Sequence, residues 1–245
     1  MVRRIRAPKL QCVIVDLNTQ VDFLDPHGAY PVANLETLVP TLRRLVAWAK
    51  RNYAPVVSSV DSHRNHELRD DSEPLHCLDG STGQRKIDFT IFPQHERVEF
   101  DNTLCVPLDL FQDYQQIIFR KREGDLLTNP KADRFLTQLT TNEFVVFGID
   151  LECSIKMLSL GLLSRKKRVT VIEDGCGYWS KAAADLALRQ LAAKGANLIT
   201  TDELLTRRLS RRRRYSTHAP NSAPRGTAHT INIRVSSSKQ NRKTR

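Results

Sequence analysis

The sequence lacks the features of a membrane protein and of a disulfide-stabilised secreted domain. Its 245 residues contain no run of about 18 apolar residues, so no membrane-spanning helix is expected. The N-terminus has no small-residue cleavage site, and its apolar stretch ends at Asp16, which predicts a first β-strand rather than a signal peptide. The five cysteines are widely spaced and include no CxxC pair. This pattern argues against a disulfide framework or a cysteine zinc site and favours a cytoplasmic protein.

Acidic residues are absent from the C-terminal segment. Residues 207–245 contain twelve Lys or Arg and no Asp or Glu, which leaves 26 of the 38 basic residues against all 27 acidic ones in the rest of the chain. The segment has few large apolar residues, so it is predicted to be disordered. We therefore expect a nearly neutral domain over residues 1–206, followed by a basic tail. The tail could bind nucleic acid or another acidic surface; a solvated extension without function is the alternative.

Apolar runs alternate with helical patterns throughout the predicted domain. The runs lie at residues 10–17, 56–60, 116–120, 144–147, 168–172 and 197–200. Because several of them are almost wholly apolar, they are typical of strands buried on both faces of a parallel sheet. Leucine and alanine recur at helical spacing between them. This order predicts an α/β fold with right-handed crossovers, arranged as a three-layer αβα sandwich.

The polar segment 61–100 interrupts the alternation and contains four of the seven histidines. In open α/β sheets ligands bind beyond the carboxyl ends of the strands, which is where this segment begins. Asp61 and His63 are spaced so that their side chains share one face of an extended chain, and His76 is a third candidate ligand. Three protein ligands would leave positions on a divalent metal open for water or substrate. A polar loop with solvated histidines is the alternative.

The end of the first predicted strand carries four polar side chains that could act in a site. They are Asp16, Asn18, Gln20 and Asp22. A carboxylate at the carboxyl end of a strand is well placed to act as a general base. Strand-end capping and loop hydrogen bonds explain the same residues equally well.

A cysteine and a serine follow the predicted strand at 144–147. A glycine and a short turn in FGIDLECSIKM bring Cys153 and Ser154 to the start of a helix. The free N–H groups of a helix start stabilise a thiolate or an oxyanion, although a buried cysteine beside an N-capping serine is the commoner arrangement. Lys121 follows another predicted strand and would lower the pKa of a nearby thiol, unless it is simply a surface lysine.

Four segments together resemble the isochorismatase-like cysteine hydrolases, most closely the nicotinamidase branch. They are DLNTQVDFLDPHGAYPV at 16–32, DSHRNH with PLHCLDGSTG at 61–66 and 74–83, FRKREGDLLTNP at 119–130, and FGIDLEC at 147–153 leading to VIEDG at 171–175. The resemblance spans about residues 8–205. It implies a Rossmann-like fold with a mostly parallel six-stranded sheet, and an Asp–Lys–Cys triad that cleaves a small amide. It also implies a divalent metal, either zinc, iron or manganese, held by Asp61, His63 and His76.

Two triad positions depart from the family pattern. Lys121 matches the family lysine, but an ungapped alignment places Asn18 at the position of the base and Ser154 at that of the nucleophile. Asp16 lies two residues before the first of these positions, and Cys153 one residue before the second. An amide cannot accept a proton as a carboxylate does, and a serine hydroxyl is a weak nucleophile without an activating base.

The sequence therefore leaves two functions open. The first is an amidohydrolase acting on nicotinamide or a similar small amide, with Asp16 as the only available base and Cys153 or Ser154 as the nucleophile. In this reading Lys121 is the charge partner, and the backbone N–H groups at 153–154 form the oxyanion hole. The second is a catalytically silent family member that acts as a binding or scaffold protein. Either could form a homo-oligomer.

Overall fold

A seven-stranded sheet forms the centre of the computed structural model, which describes residues 10–64, 73–101 and 103–209. The strands are β1 (Leu10–Leu17), β2 (Val56–Asp61), β3 (His95–Val98), β4 (Gln116–Lys121), β5 (Thr141–Gly148), β6 (Val169–Cys176) and β7 (Asn197–Ile199). Their order across the sheet is β3-β4-β2-β1-β5-β6-β7, and every neighbouring pair is parallel. Each of the six predicted apolar runs is a strand of this sheet.

Helices cover both faces of the sheet, which confirms the predicted three-layer α/β architecture. They are α1 (Val21–Leu24), α2 (Leu35–Arg51), α3 (Pro130–Gln138), α4 (Lys156–Ser164), α5 (Lys181–Ala193) and α6 (Thr201–Thr206). A π-helical turn, Leu151–Ile155, leads directly into α4. Buried side chains of α3, α4 and α5 pack into the core on one face, and those of α2 and α6 pack into the core on the other.

The predicted number of strands was too low by one. The additional strand, β3, lies inside the polar segment 61–100 and pairs with β4 at the edge of the sheet. Its four residues, HERV, are only partly buried or exposed. Edge strands need no continuous apolar run, because only one of their sides is paired and their faces are incompletely covered.

The alternation of side chains along β1 decides where its carboxylate lies. Val15 and Leu17 pack into the core beneath α3, α4 and α5, whereas Cys12 and Ile14 pack into the core beneath α2. Successive side chains of a strand point to opposite faces. Asp16 therefore shares the face of Cys12 and Ile14, and lies on the opposite side of the sheet from α4.

No helix in the described part of the chain is both long enough and apolar enough to cross a lipid bilayer. The predicted disordered tail lies outside the described residues from position 210 onward. Its suggested binding to acidic surfaces therefore stays a prediction.

Candidate active site

The candidate site lies at the carboxyl ends of the central strands. Asn18 follows β1, Asp61 ends β2, Lys121 ends β4 and the turn at 149–154 follows β5. Asp61 and Lys121 are register partners in the β2–β4 pair, so their side chains leave the sheet next to each other. Most of the predicted site residues thus lie together at the carboxyl ends of the strands, as expected for a parallel sheet.

Asn18 is held in one orientation by Ser59 of β2. The backbone N–H of Asn18 donates to the Ser59 Oγ atom (3.2 Å), and the Ser59 hydroxyl donates to Asn18 Oδ1 (2.6 Å). The carbonyl end of the Asn18 amide thus faces Ser59, and its NH2 end faces Ser154. The Nδ2 group then donates to Ser154 Oγ at 3.1 Å. The Ser154 hydroxyl is therefore faced by the amide of Asn18, which is a hydrogen-bond donor and not a base.

The N–H groups predicted to form an oxyanion hole are engaged by a carboxylate of the chain itself. Asp150 caps the turn, and its Oδ1 atom accepts hydrogen bonds from the backbone N–H of Cys153 and, at 3.0 Å, from that of Ser154. Burial raises the pKa of Asp150 to about 6, although these two N–H donors act to lower it. Most Asp150 side chains are ionised at neutral pH, so an anion occupies this position.

Cys153 is placed differently from Ser154. Its Sγ atom is half-buried and lies 3.5 Å from Met157 Sδ, whereas Ser154 is buried. Burial is the main cause that raises the pKa of the Cys153 thiol, and the Asp150 carboxylate raises it further. The positive charges of Lys121 and Lys156 act in the opposite direction but are outweighed. The thiol is therefore predominantly protonated at neutral pH, in contrast to an activated nucleophile.

Lys121 is fully buried and pairs with Asp61. Its ammonium group donates to Asp61 Oδ1 and, at 2.9 Å, to the carbonyl oxygen of Glu123. Gln20 fixes the backbone of Asp61 from both sides, since its Oε1 accepts from Asp61 N (2.7 Å) and its Nε2 donates to Asp61 O (2.9 Å). The lysine of the predicted triad thus neutralises one of the predicted metal ligands.

The structure brings the two predicted histidine ligands together. The rings of His63 and His76 lie edge to face with centroids 5.2 Å apart, and His76 Nδ1 lies 2.8 Å from the carbonyl oxygen of Pro74. Asp61, the third predicted ligand, is paired with Lys121 instead. Within the described residues, no group of three His, Cys, Asp or Glu side chains is arranged to hold a metal ion. The three residues as they stand therefore do not fit a divalent metal.

The structure does not bring Asp16 to either candidate nucleophile. Asp16 Oδ2 lies 2.6 Å from the ammonium of Lys86, and both side chains are buried. Its carboxylate also accepts from Thr19 Oγ1 (2.9 Å) and Ser58 Oγ (3.2 Å). Asp22, another candidate, accepts from two backbone N–H groups, those of Ala29 and Cys77. Both carboxylates therefore hold the polypeptide chain together, as the capping alternative describes.

Sequence reasoning missed several residues of this region. Lys86 was not singled out within the polar segment 61–100, and Asp150 was not assigned a role, although it stands inside the FGIDLEC motif. A cluster of aromatic side chains was also missed. Tyr30 stacks on Trp179 with ring centroids 4.2 Å apart, and Phe23 lies 5.3 Å from the His76 ring. The aromatic residues come from separate segments of the chain, so no local sequence pattern predicts the cluster.

Comparisons with known proteins identify the family. The isochorismatase domain model matches residues 11–203, so the chain belongs to the isochorismatase-like hydrolase family. Nicotinamidase of Escherichia coli is 27% identical over 213 residues, which cover 79% of this chain and 95% of that protein.

Solved structures share the fold at lower identity. The pyrazinamidase of Pyrococcus horikoshii in complex with zinc is 16% identical, with a TM-score of 0.61 over 78% of this chain and 99% of that one. A protein from L. infantum in complex with nicotinate is 15% identical, with a TM-score of 0.61 over 80% of this chain and 98% of that one. The fold and family predicted from the sequence are confirmed.

Proposed function

We propose that this chain is a catalytically silent member of its family, which binds a small aromatic amide or acid of the nicotinamide and nicotinate class without hydrolysing it. One contact carries the proposal: the Asn18 amide donates a hydrogen bond to Ser154 Oγ. A hydroxyl attacks a carbonyl only when a base removes its proton. The amide nitrogen of Asn18 has no lone pair to offer, so Ser154 gains no activation from it.

The Asp150 carboxylate supports the same conclusion. Amide hydrolysis needs preorganised donors for the oxyanion that develops on the carbonyl oxygen. The N–H groups of Cys153 and Ser154 already donate to Asp150 Oδ1. An oxyanion at this position would have to displace the Asp150 carboxylate and would be repelled by it.

The aromatic cluster supports a flat ligand. Tyr30 and Trp179 are only partly buried, and they stack on each other beside Phe23 and His76. Aromatic side chains of this kind bind flat rings through stacked and edge-to-face contacts. The related proteins are a nicotinamidase and a protein solved with nicotinate, which suggests the chemical class of the ligand. Ligand binding through these aromatic contacts requires no divalent metal.

A hydrolase is the second candidate, and the position of Lys121 favours it. The lysine is close enough to lower the pKa of Cys153 electrostatically, as a charge partner would. Burial nevertheless outweighs this effect. Hydrolysis through Cys153 therefore requires a rearrangement that exposes the thiol to Lys121 and withdraws Asp150 from the N–H groups.

Ammonia release from nicotinamide, measured with and without added zinc, decides between the two functions. We expect no turnover above background from the purified full-length chain, together with binding of nicotinamide or nicotinate in calorimetry. Turnover that disappears in Ser154→Ala or Cys153→Ala, but survives in the control Cys105→Ala, would contradict the proposal. Cys105 is a suitable control because it is an exposed cysteine. Absence of binding of both compounds would refute the ligand class.

A further inference from the structure

We infer that the aromatic cluster, formed by Phe23, Tyr30, His76 and Trp179, prefers a flat ring that carries a positive charge, such as a pyridine carboxamide alkylated at its ring nitrogen. The inference rests on the proposed function only in taking this cluster as the place where the ligand binds, and it does not depend on the absence of hydrolysis. It begins from the carboxylates that surround the cluster.

The two partly exposed rings of the cluster can attract a cation. Tyr30 and Trp179 are stacked with an interplanar angle of 12°, and Phe23 meets the Trp179 ring edge-on at 5.6 Å. The indole is held in place, because its Nε1–H donates to the carbonyl oxygen of Pro31 at 3.1 Å. The faces of aromatic rings carry negative potential and bind cations, and tryptophan does so most strongly. Shape alone would accept any flat ring, whereas this potential favours a positively charged one.

The carboxylate of Glu152 lies against the same tryptophan and lacks a counter-charge. Its Oε1 atom accepts hydrogen bonds from the backbone N–H groups of Trp179 and Ser180, both at 2.8 Å. Its Oε2 atom is buried and has no hydrogen-bond partner among the residues that the structure describes. A buried carboxylate oxygen without a partner is costly, and in folded proteins such groups are normally paired. A cationic ligand beside Trp179 would supply the missing positive charge.

Other carboxylates add to the negative potential at the cluster. Burial raises the pKa of the Tyr30 hydroxyl, and the carboxylates of Glu73, Glu152 and Asp150 raise it further. A potential that opposes a phenolate also opposes a ligand carboxylate and favours a ligand cation. The buried Lys121 does not reverse this balance, because it is paired with Asp61. We therefore expect affinity to fall from a cationic ring to a neutral ring and then to an anionic one.

Calorimetric titration of the full-length chain with isosteric probes tests the inference. The cation is nicotinamide methylated at its ring nitrogen, and meta-toluamide is its neutral isostere, in which a ring carbon replaces that nitrogen. At pH 8, where Asp150 is ionised, we expect the cation to bind about tenfold more tightly than meta-toluamide. Nicotinate, which carries a negative charge, should bind most weakly of the three.

Glu152→Gln tests the source of the preference. Glutamine keeps an oxygen acceptor for the N–H groups of Trp179 and Ser180 and removes only the charge. The variant should bind the cation several-fold more weakly than the wild type and should bind meta-toluamide equally well. Glu143→Gln is the matched control, because Glu143 is also partly buried, accepts hydrogen bonds from Thr170 and Arg207, and lies near the opposite end of β5. This control should leave both affinities unchanged.

Three results would overturn the inference. They are equal affinity of the wild type for the two isosteres, tighter binding of nicotinate than of the cation, and no detectable binding of the cation. The wild-type comparison needs no variant, so it stands even if Glu152→Gln fails to fold. The proposed function fails separately: ammonia release would refute the silent enzyme without changing the order of affinities. Conversely, nicotinate binding that is the tightest of the three, without turnover, would refute only the preference for a cation.

Discussion

Two buried lysine–aspartate pairs each use an aspartate of the same sheet, but their surroundings differ. Lys86 and Asp16 are each 1% exposed, and hydroxyl groups complete the hydrogen bonding of the carboxylate. Asp61 is 7% exposed next to the fully buried Lys121, and its chain continues to the histidine His63. The first pair is shielded from solvent and connects β1 to the loop that contains Lys86. The second lies at the carboxyl end of β2, next to the histidine segment, and its carboxylate is slightly more exposed.

The largest effect on the free energy of unfolding is expected at the Lys86–Asp16 pair. Lys86→Met should lower the free energy of unfolding by about 3–5 kcal/mol, because it leaves the Asp16 carboxylate buried without a counter-charge. Urea unfolding followed by far-UV circular dichroism measures the loss. The double variant Lys86→Met/Asp16→Leu should lose less than the single one, since it leaves no buried charge behind. A loss below about 1 kcal/mol in the single variant would show that water reaches Asp16.

A third carboxylate, that of the half-buried Asp150, is held by N–H groups rather than by a lysine, and its pH dependence sharpens the comparison. Its pKa is raised by burial from 3.8 to about 6, so folding favours the protonated form. This contribution to stability is complete below pH 3.8 and is lost as the pH rises through about 6. It amounts to at most about 3 kcal/mol.

The variant Asp150→Asn isolates that contribution, because asparagine does not titrate. Relative to Asp150→Asn, the wild type should lose up to about 3 kcal/mol of unfolding free energy between pH 4 and pH 7. Urea unfolding of both proteins across this range gives the difference. Parallel stability curves would contradict the raised pKa.

The Lys121–Asp61 pair should tolerate the loss of its lysine better. Lys121→Met should lower the free energy of unfolding by about 1–3 kcal/mol, less than Lys86→Met, because Asp61 is partly reached by water. Urea unfolding of both lysine variants, followed by far-UV circular dichroism, measures the two losses. A greater loss in Lys121→Met than in Lys86→Met would reverse the comparison.

Two neighbouring serines of β2, one for each region, test single hydrogen bonds. Ser58→Ala removes a hydroxyl donor to the charged Asp16 and should cost about 1.5–3 kcal/mol. Ser59→Ala removes the hydroxyl that orients the neutral Asn18 and should cost about 0.5–1.5 kcal/mol. The two variants serve as controls for each other, because each replaces a fully buried serine. Equal losses would show that the charge on Asp16 adds nothing.

Much of the fold could be predicted because buried parallel strands are continuous apolar runs in the sequence. Each of the six central apolar runs is a strand, and the carboxyl end of β2 is where the histidine segment begins. The edge strand His95–Val98 was missed because its four residues are polar or half-buried. Strand ends were also short in the prediction: β5 extends over Thr141–Gly148, beyond the apolar run at 144–147. The polar ends of these strands are paired by their neighbours, which no local pattern records.

The candidate site could be located from the sequence more easily than it could be interpreted. Alignment with the family pattern placed Asn18 and Ser154 at the two departing positions, and the structure brings them within hydrogen-bond distance. The partners of Asp16 and Asp61 could not be predicted, because Lys86 and Lys121 are about 60 to 70 residues away in sequence. Contacts over such separations depend on strand order and register, which composition and periodicity do not encode.

The sequence by itself determined that this chain is an α/β protein of the isochorismatase-like family, and it predicted an amide, Asn18, and a hydroxyl, Ser154, at the acid and thiol positions of the family pattern. Only the tertiary structure decided which lysine pairs with Asp16 and which pairs with Asp61. The alternation of side chains along β1 turns Asp16 towards Lys86, and the register of β2 against β4 sets Asp61 beside Lys121. The turn after β5 folds the Asp150 carboxylate onto the N–H groups of the helix start. A charge in a protein interior acts through its nearest neighbours, and those neighbours come from distant parts of the chain.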